Sequence, residues 1–324
     1  MTFLSGVAET GQSDTRAQPS ELLQIPADGL RPTDRNDDDV FGPEIAAAAP
    51  GERFQRDPVA DPFHEHDSTR TPDHGLHPRS RGTLAVVGQG AYLMQIGQLS
   101  YREAWDLQRA LAAAVSQGAV PDTVVLLEHP PVITLGRRTD EGAELHLPEG
   151  AAIEVLETDR GGKSTYHAPG QLVCYPILDL NRHGRDVKRY VRDLEEALIH
   201  TVSPFGLAGE RIEGLTGVWL ARPPRKIASI GVHVSRWITT HGYALNVDLD
   251  PAPFTDWITA CGLEDATFTT IAREIGRPVA VDEARPHAVA ALADVFGLEF
   301  EELPADEAAG LWAQPIHDGL AGRR

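Results

Sequence analysis

Apolar residues recur at helical spacing in three parts of the chain. In YREAWDLQRALAAAVSQG (101–118), Trp105, Leu107, Leu111 and Ala114 follow this spacing and Gly118 ends the run. Two further helices are predicted at about 186–203 and 282–296.

Strand patterns are more numerous than helical ones. Short apolar runs predict strands at TLAVVGQG (83–90), TVVLLEH (123–129), AIEVLETD (152–159) and QLVCYPILDL (171–180). KIASIGVHVS (226–235) and YALNVDL (243–249) alternate in the β manner, and we expect them to pair around a turn at THG (240–242). Strands joined by short turns predict an α+β fold, with a mixed, largely antiparallel sheet packed with helices.

The composition changes near residue 80. Residues 1–80 are rich in Pro, Asp, Arg, Ser and Thr, carry 15 acidic against 7 basic side chains, and have scattered apolar residues. We interpret them as a disordered acidic N-terminal tail, and residues 81–324 as one folded domain. The HEHD segment (64–67) lies in this tail, where neighbouring histidines seldom bind a specific metal, so no metal site is predicted.

Charge and hydropathy exclude two classes of partner. The net charge is −19, and no cluster of basic residues resembles a nucleic-acid-binding surface. The sequence has no apolar run of membrane-spanning length, and its first residues lack the pattern of a secretory signal. We therefore expect a soluble, cytoplasmic protein that binds neither nucleic acid nor membrane.

The two cysteines, Cys174 and Cys261, are far apart and form no CxxC motif, which argues against a disulfide framework. Cys174 lies in the apolar run QLVCYPIL and is predicted to be in the core. Cys261 follows a predicted helical turn, DWITA (256–260), and precedes a glycine. It is either a reactive thiol or another small buried apolar residue, and the residues alone leave both interpretations open.

The densest polar motif is RGGKSTYHAPGQ, Arg160–Gln171, between two predicted strands. Its glycines permit backbone conformations that are closed to other residues and allow close approach to a ligand. Hydrogen-bond donors and one imidazole are concentrated at its start, in Arg160, Lys163, Ser164, Thr165, Tyr166 and His167. A ligand-binding loop and a polar surface turn both fit this pattern.

Together with VVLLEHPPVITLGRR (124–138), RKIASIGVHVSRWITTHGYALNV (225–247) and ACGL (260–263), this motif resembles the lipoyl(octanoyl) transferase family over roughly residues 83–300. The resemblance implies a biotin/lipoate protein ligase-like catalytic domain within residues 81–324. The sequence departs from the family pattern at Ala168, where glycine is usual, and at Ala260, where proline is common. Neither departure removes a reacting group.

The resemblance also implies chemistry. It assigns Cys261 and Lys226 as a catalytic dyad that moves an octanoyl group from octanoyl-acyl carrier protein to a lysine. The implied acceptors are the lipoyl domains of 2-oxoacid dehydrogenase E2 subunits and the glycine cleavage H protein. Exchange between thioesters needs no cofactor, and a nearby ammonium would raise the thiolate fraction of Cys261. Without the resemblance, Lys226 could equally be an ordinary solvated lysine.

Further site residues follow from the same resemblance. Substrate-binding positions are expected at Arg160, Gly161, Gly162, Lys163, Ser164, Thr165, Tyr166 and His167, and at the acyl-pocket positions Ser229, Ile230, Gly231, Gly242, Tyr243 and Ala244. His129 and His167 could move protons or could be hydrogen-bonded structural imidazoles.

Two alternatives remain at this level. A lipoate or biotin protein ligase would share the fold but would adenylate its substrate and need ATP and magnesium. A non-catalytic acyl-binding or carrier-docking module would keep the pocket without the chemistry. The motif RGGKSTYHAPGQ fits the transferases better than the ligases, and the presence of both Cys261 and Lys226 argues against the non-catalytic module. A covalent octanoyl adduct that is absent after Cys261→Ala would decide.

Overall fold

The computed structural model describes residues 88–260 and 267–304. The predicted tail of residues 1–80 and the predicted nucleophile Cys261 lie outside these residues. The strands are β1 (Gln89–Gln98), β2 (Asp122–Glu128), β3 (Val132–Leu135), β4 (Glu154–Glu157), β5 (Thr165–His167), β6 (Gln171–Ile177), β7 (Gly209–Ile212), β8 (Leu215–Leu220), β9 (Arg225–Ser235), β10 (Ile238–Asn246), β11 (Thr267–Phe268) and β12 (Leu298–Glu302). The helices are α1 (Tyr101–Ser116), α2 (Glu141–Glu144), α3 (Val187–Val202), α4 (Pro253–Asp256), α5 (Ile271–Ile275) and α6 (Val281–Phe296).

The three predicted helices are confirmed as α1, α3 and α6. Local capping explains where two of them begin. Ser100 and Glu103 exchange side-chain to backbone hydrogen bonds at the start of α1, each 3.3 Å long, which is a capping box. The carboxylate of Asp186 accepts from the Arg189 N–H at 3.0 Å and caps α3.

The large sheet has the strand order β12-β1-β2-β6-β10-β9-β8-β7, and β11 adds to β9. Strands β12, β1 and β2 are parallel, whereas every pair from β2 to β7 is antiparallel. A smaller sheet, β4-β3-β5, lies beside it. This arrangement confirms the predicted α+β fold with a mixed, largely antiparallel sheet.

Helices cover both faces of the large sheet. One core cluster packs α3 and α6 against the sheet and includes Cys174, whose burial confirms its predicted place in the core. A second cluster packs α1 against the opposite face, with Leu111 and Val125 at its centre. A third joins the small sheet to α4, with Tyr166 and Phe254 among its members. This third cluster borders the Arg160–Gln171 motif.

The predicted turn at THG (240–242) is wrong. These residues lie inside β10, and the turn between β9 and β10 consists of Arg236 and Trp237, since Ser235 pairs with Ile238. Both turn residues have positive φ, 50° and 69°, which is the geometry that tight hairpins require. The Arg185 guanidinium lies 4.7 Å from the centre of the Trp237 ring and covers this turn. The sequence pattern misplaced the turn because neither residue is a usual turn former.

Two other boundaries differ from the predictions. The first described strand begins at Gln89, and residues 83–87 of the predicted strand lie outside the described residues. The predicted helical turn at DWITA is displaced toward the N-terminus: α4 ends at Asp256, and Ile258 forms an antiparallel bridge with Leu145. The segment before Cys261 is therefore held by pairing to another part of the chain.

The core beneath α1 contains three buried histidines. His129 lies between the Leu99 carbonyl, 2.7 Å from Nδ1, and the Tyr175 hydroxyl, 2.7 Å from Nε2. A carbonyl can only accept, so Nδ1 carries the proton and Nε2 accepts from Tyr175. His241, at φ 57°, contacts Asp159 through Nε2 at 2.7 Å. His129 and His241 thus each have specific polar partners.

Burial is the largest cause of the pKa shifts of these histidines. It lowers the pKa of His129 to about 4, and it lowers the pKa of His167 well below the ordinary value. The pKa of His241 is also lowered by burial, although Asp159 opposes the shift. All three imidazoles are therefore neutral at pH 7.

In the described part of the chain, no helix is both long enough and apolar enough to cross a membrane.

The neutral histidines predict how stability depends on pH. The unfolded chain binds protons near the ordinary histidine pKa of about 6.5, whereas folded His129 binds one only near pH 4. Stability is therefore greatest above about pH 6.5 and falls as the pH drops toward 4. We expect His129→Gln to reduce the slope over this window by about 1.4 kcal/mol per pH unit, measured by denaturant unfolding.

The control is His200→Gln, because the His200 side chain is 44% exposed. Carboxylate titration is common to the wild type and His129→Gln and cancels in their comparison. An unchanged slope in His129→Gln would contradict the neutral, buried state of His129.

Candidate active site

The Arg160–Gln171 segment, here called the glycine loop, lies directly on strand β9. The Gly161 N–H donates to the Val232 carbonyl at 2.9 Å. A Cβ atom at Gly231 would stand only 2.9 Å from the Gly161 carbonyl oxygen. The backbone of the loop and that of the strand therefore meet with no room for a side chain between them.

Arg160 is buried inside the glycine loop. Its guanidinium donates to the Thr134 carbonyl at 2.6 Å, the Thr134 hydroxyl at 2.8 Å and the Lys163 carbonyl at 2.7 Å. A Cβ at Gly136 would stand 2.4 Å from the Gly162 carbonyl oxygen, so the loop also packs closely against the chain after β3. The predicted substrate-binding arginine thus fixes the shape of the loop.

The next residues of the loop contact a buried carboxylate. The Lys163 ammonium lies 2.9 Å from Glu144 Oε1, and the Ser164 hydroxyl donates to Glu144 Oε2 at 2.8 Å. Thr165 is buried in β5. Tyr166 packs edge-on against Phe254, with ring centres 5.7 Å apart. Glu144 was not predicted from the sequence.

His167 is bonded through both ring nitrogens. Its Nδ1 lies 2.8 Å from Gln171 Oε1, and Nε2 lies 3.4 Å from the Thr134 hydroxyl. The Gln171 amide donates to Asn246 Oδ1 at 2.9 Å, which leaves Gln171 Oε1 as the acceptor and places the His167 proton on Nδ1. His167 and His129 thus both have the contacts of structural imidazoles, and their rings lie 5.5 Å apart.

The predicted acyl-pocket residues divide between the two faces of the sheet. Ser229 pairs with Ala244 and Gly231 with Gly242, and directly opposed residues of antiparallel strands share a face. Of these four small residues, Gly231 faces the glycine loop, whereas Ala244 packs in the cluster with α1 and a Cβ at Gly242 would stand 2.2 Å from the Cys174 carbonyl oxygen of β6. The register places all four in a row of small residues on one face of the two strands. Ile230 and Tyr243 lie in the core with α3 and α6 on the other side.

Lys226 is buried near the start of β9, with 3% of its surface exposed. Its Nζ lies 5.3 Å from the centre of the Trp219 ring, a cation–π contact. A Cβ at Gly217, whose φ is 114°, would stand 2.8 Å from Lys226 Cε. Glycine is thus required at position 217 for two reasons: the positive φ is strained for other residues, and any side chain would collide with the Lys226 side chain. No sequence signal singled out Trp219 or Gly217.

Cys261 lies outside the described residues, so its contact with Lys226 remains a prediction. Ala260 and Phe268, which lie on either side of residues 261–266, belong to the same apolar cluster. Ala260 is buried in the cluster with Tyr166 and Phe268. Phe268, in β11, is the strand partner of Lys226, and the Thr269 N–H donates to the Lys226 carbonyl at 3.0 Å.

Within residues 88–260 and 267–304, no group of three or more His, Cys, Asp or Glu side chains is arranged to hold a metal ion. The cations of the site are instead Arg160, Lys163 and Lys226. Arg160 and Lys163 hold the shape of the glycine loop, and Lys226 places a buried amine near the start of β9.

Sequence comparisons identify relatives over most of the described chain. An octanoyltransferase of Mycobacterium tuberculosis (strain H37Rv) is 52% identical over 200 residues, which are 61% of this chain and 84% of that protein. An octanoyltransferase of Chloroflexus aurantiacus (strain J-10-fl) is 49% identical over 208 residues, 63% of this chain and 93% of that protein.

Solved structures share the fold at low sequence identity. A bipartite lipoate protein ligase from Thermoplasma acidophilum matches with a TM-score of 0.55 at 14% identity, over 69% of this chain and 91% of that one. Lipoate-protein ligase A bound with ATP matches with a TM-score of 0.54 at 14% identity, over 69% and 92% of the two chains.

A family model for the lipoyl protein ligase A/B catalytic domain matches residues 100–293, from the start of α1 to the last turn of α6. This match extends over all the described elements that build the candidate site. The chain belongs to the lipoyl protein ligase A/B catalytic domain family.

Proposed function

We propose that this protein is an acyltransferase that moves an octanoyl group from octanoyl-acyl carrier protein to a specific lysine of a lipoyl domain. The acyl group is carried as a thioester on Cys261. Acceptors are the lipoyl domains of 2-oxoacid dehydrogenase E2 subunits and the glycine cleavage H protein, and the reaction takes place in the cytoplasm. The names of the relatives support the octanoyl group, and the site supports the chemistry.

One observation carries the proposal: a buried lysine at one end of β9 and a row of small residues further along the same strand. Lys226 and Gly231 are five positions apart, about 17 Å of extended strand. An alkyl chain that lies along this row contacts no large side chain from β9 or β10. Each methylene group that the chain buries stabilises binding by about 0.8 kcal/mol. The length of the acyl chain can therefore be recognised by how many methylene groups fit along the row.

The first step is an exchange of thioesters. The Cys261 thiolate attacks the octanoyl carbonyl, a new C–S bond forms, and the bond to the phosphopantetheine sulfur breaks. The departing sulfur takes up a proton. Since one thioester replaces another, the acyl group remains activated and no nucleotide is consumed.

The second step is aminolysis. The neutral amine of the acceptor lysine attacks the carbonyl on Cys261, an amide bond forms, and Cys261 leaves as a thiolate. The amine loses one proton in the process. In this proposal the Lys226 ammonium stabilises the Cys261 thiolate and exchanges protons with the thiol and the amine. Such a two-step exchange has ping-pong kinetics.

A ligase that adenylates free lipoate is the second candidate, because the fold is shared with lipoate-protein ligase A bound with ATP. The two functions differ in their need for nucleotide and in the covalent intermediate. The relatives of about 50% identity, both named octanoyltransferase, favour the transferase.

Intact mass spectrometry tests the proposed intermediate. After incubation with octanoyl-acyl carrier protein and no nucleotide, we expect the protein to gain the mass of one octanoyl group. Cys261→Ala should gain none, whereas Cys174→Ala should still be acylated because Cys174 is buried in the core. No adduct from octanoyl-acyl carrier protein, together with release of pyrophosphate when octanoate and ATP are added, would instead indicate the ligase.

The role of Lys226 is tested by Lys226→Met, which keeps the length of the buried side chain and removes its charge. We expect octanoyl loading at pH 7 to fall about 100-fold and to recover in part at pH 9, where a thiol ionises without help. Lys188→Met, at an exposed position of α3, is the control. A pH profile of loading that is the same as the wild type would exclude Lys226 from thiolate formation.

The row of small residues is tested by Gly231→Ala. The added methyl stands 2.9 Å from the Gly161 carbonyl oxygen, so the glycine loop must move away from β9. We expect kcat/KM for the octanoyl donor to fall at least tenfold, about 1.4 kcal/mol of transition-state stabilisation. Gly90→Ala in β1 has no atom within 4 Å of its new methyl and should react as the wild type does. Normal transfer by Gly231→Ala would contradict the proposed acyl path.

A further inference from the structure

Helix α2 presents a buried carboxylate to the glycine loop. The Glu144 side chain is 3% exposed, and its two oxygens accept four hydrogen bonds or ion pairs. Oε2 accepts from the Ser164 N–H at 3.1 Å and from the Ser164 hydroxyl at 2.8 Å. Oε1 contacts the Lys163 ammonium at 2.9 Å and accepts from the Asp140 N–H at 3.3 Å. One carboxylate thus holds two consecutive residues of the loop.

The backbone around Glu144 binds a second segment, residues 257–259. The Glu144 carbonyl accepts from the Thr259 N–H at 2.9 Å, and Leu145 forms an antiparallel bridge with Ile258. His146 continues the pairing, because its N–H donates to the Trp257 carbonyl at 2.8 Å. This short antiparallel pairing is a rigid connection between α2 and the chain that precedes Cys261.

Side chains reinforce the same junction. His146 Nε2 lies 2.9 Å from the Thr259 hydroxyl, and the Ser164 hydroxyl lies 3.3 Å from the Thr259 carbonyl. Beneath these contacts, Ile258 and Ala260 pack with Tyr166 of the glycine loop in one apolar cluster. The loop and residues 257–260 therefore share both a polar and an apolar contact surface.

We propose that Glu144 is a positioning residue that aligns the glycine loop with the segment that leads into Cys261. This inference rests on the proposed function, because it assumes that Cys261 receives the acyl group and that the loop holds it. Thr259 precedes Cys261 by two residues, and Ser164 lies within the loop. A displacement of Glu144 changes the position of both at once.

The charge of Glu144 is what allows it to hold both Lys163 and Ser164. Burial raises the pKa of this carboxyl, but the hydrogen bonds from Lys163 and Ser164 outweigh burial and the pKa is lowered overall. Glu144 is therefore ionised at neutral pH. An amide in its place has only one acceptor oxygen, so it cannot serve the Ser164 donors and the Lys163 ammonium together.

The consequence for catalysis is geometric. Glu144 touches no reacting atom in the proposed reaction, so its loss should leave the intrinsic reactivity of the Cys261 thiolate unchanged. Misalignment of the thiol and the bound acyl group by about 1 Å can slow a reaction about 100-fold. Loss of Glu144 should therefore slow octanoyl loading, while the rate at which Cys261 reacts with a small reagent that needs no binding site stays the same.

The test compares Glu144→Gln and Glu144→Ala with the wild type. Two rates are measured over a range of pH: octanoyl loading of Cys261 from octanoyl-acyl carrier protein, and alkylation of Cys261 by iodoacetamide. We expect Glu144→Gln to lower loading at least tenfold while alkylation changes less than twofold, and Glu144→Ala to lower loading further. Glu154→Gln is the matched control, because this β4 carboxylate pairs with Arg102 at the surface.

Two further measurements separate positioning from stability. Hydrogen exchange should become faster at the Ser164 amide in Glu144→Gln, and thermal melting gives the folded fraction of each variant. In Lys163→Met, the additional effect of Glu144→Gln on loading should be smaller than in the wild type, because the two side chains act through one contact.

The inference is overturned if Cys261 of Glu144→Gln takes up the octanoyl group from octanoyl-acyl carrier protein at the wild-type rate. It is also overturned if loading, alkylation and folded fraction fall in parallel, since that result describes a purely structural residue. If the wild type itself forms no octanoyl adduct while iodoacetamide still alkylates Cys261, the proposed function fails, and the inference fails with it.

Discussion

The site depends on the direct contact between two backbones, the glycine loop and strand β9. The hydrogen bond from Gly161 to Val232 and the missing side chain at Gly231 bring them together. Each of these two backbones is also held in place by other parts of the chain. Arg160 holds the loop through Thr134, and β9 is hydrogen-bonded to β8 and β10 within the large sheet. The glycine loop and β9 therefore form one continuous, rigid wall of the site.

Around this contact the protein buries charged groups, and each has a partner that makes burial tolerable. The Glu144 carboxylate is ion-paired with Lys163 and bonded to Ser164, and the Lys226 ammonium lies against the Trp219 ring. The buried histidines beneath α1 avoid the cost of burying a charge because burial lowers their pKa values and they are neutral at pH 7. A buried ion without such compensation would cost several kcal/mol. Glu144, whose pKa is lowered by the hydrogen bonds from Lys163 and Ser164, is therefore an ionised group that the fold holds beside the loop.

The sequence predicted the elements whose patterns are strong. Helices α1, α3 and α6 have clear apolar spacing, and the α+β class follows from many strands joined by short turns. The β9–β10 turn was misplaced because Arg236 and Trp237 adopt positive φ without glycine or asparagine. The sequence could not tell which acyl-pocket residues share a face of the sheet, because this depends on the strand register. The register places Ile230 and Tyr243 on one face and the small residues Ser229, Gly231, Gly242 and Ala244 on the other. Glu144 and Trp219 were missed because their roles depend on contacts between segments that are distant in the chain.

The account depends most on the claim that the acyl chain lies along β9 with its reactive end beside Lys226. A crystal structure of the octanoylated protein measures this directly, since it would define residues 261–266 and the bound chain together. The account predicts that the Cys261 thioester sulfur lies within about 4 Å of Lys226 Nζ, with the alkyl chain along the row of small residues on β9 and β10, beside the glycine loop. A thioester far from Lys226, or an alkyl chain outside this contact, would contradict it.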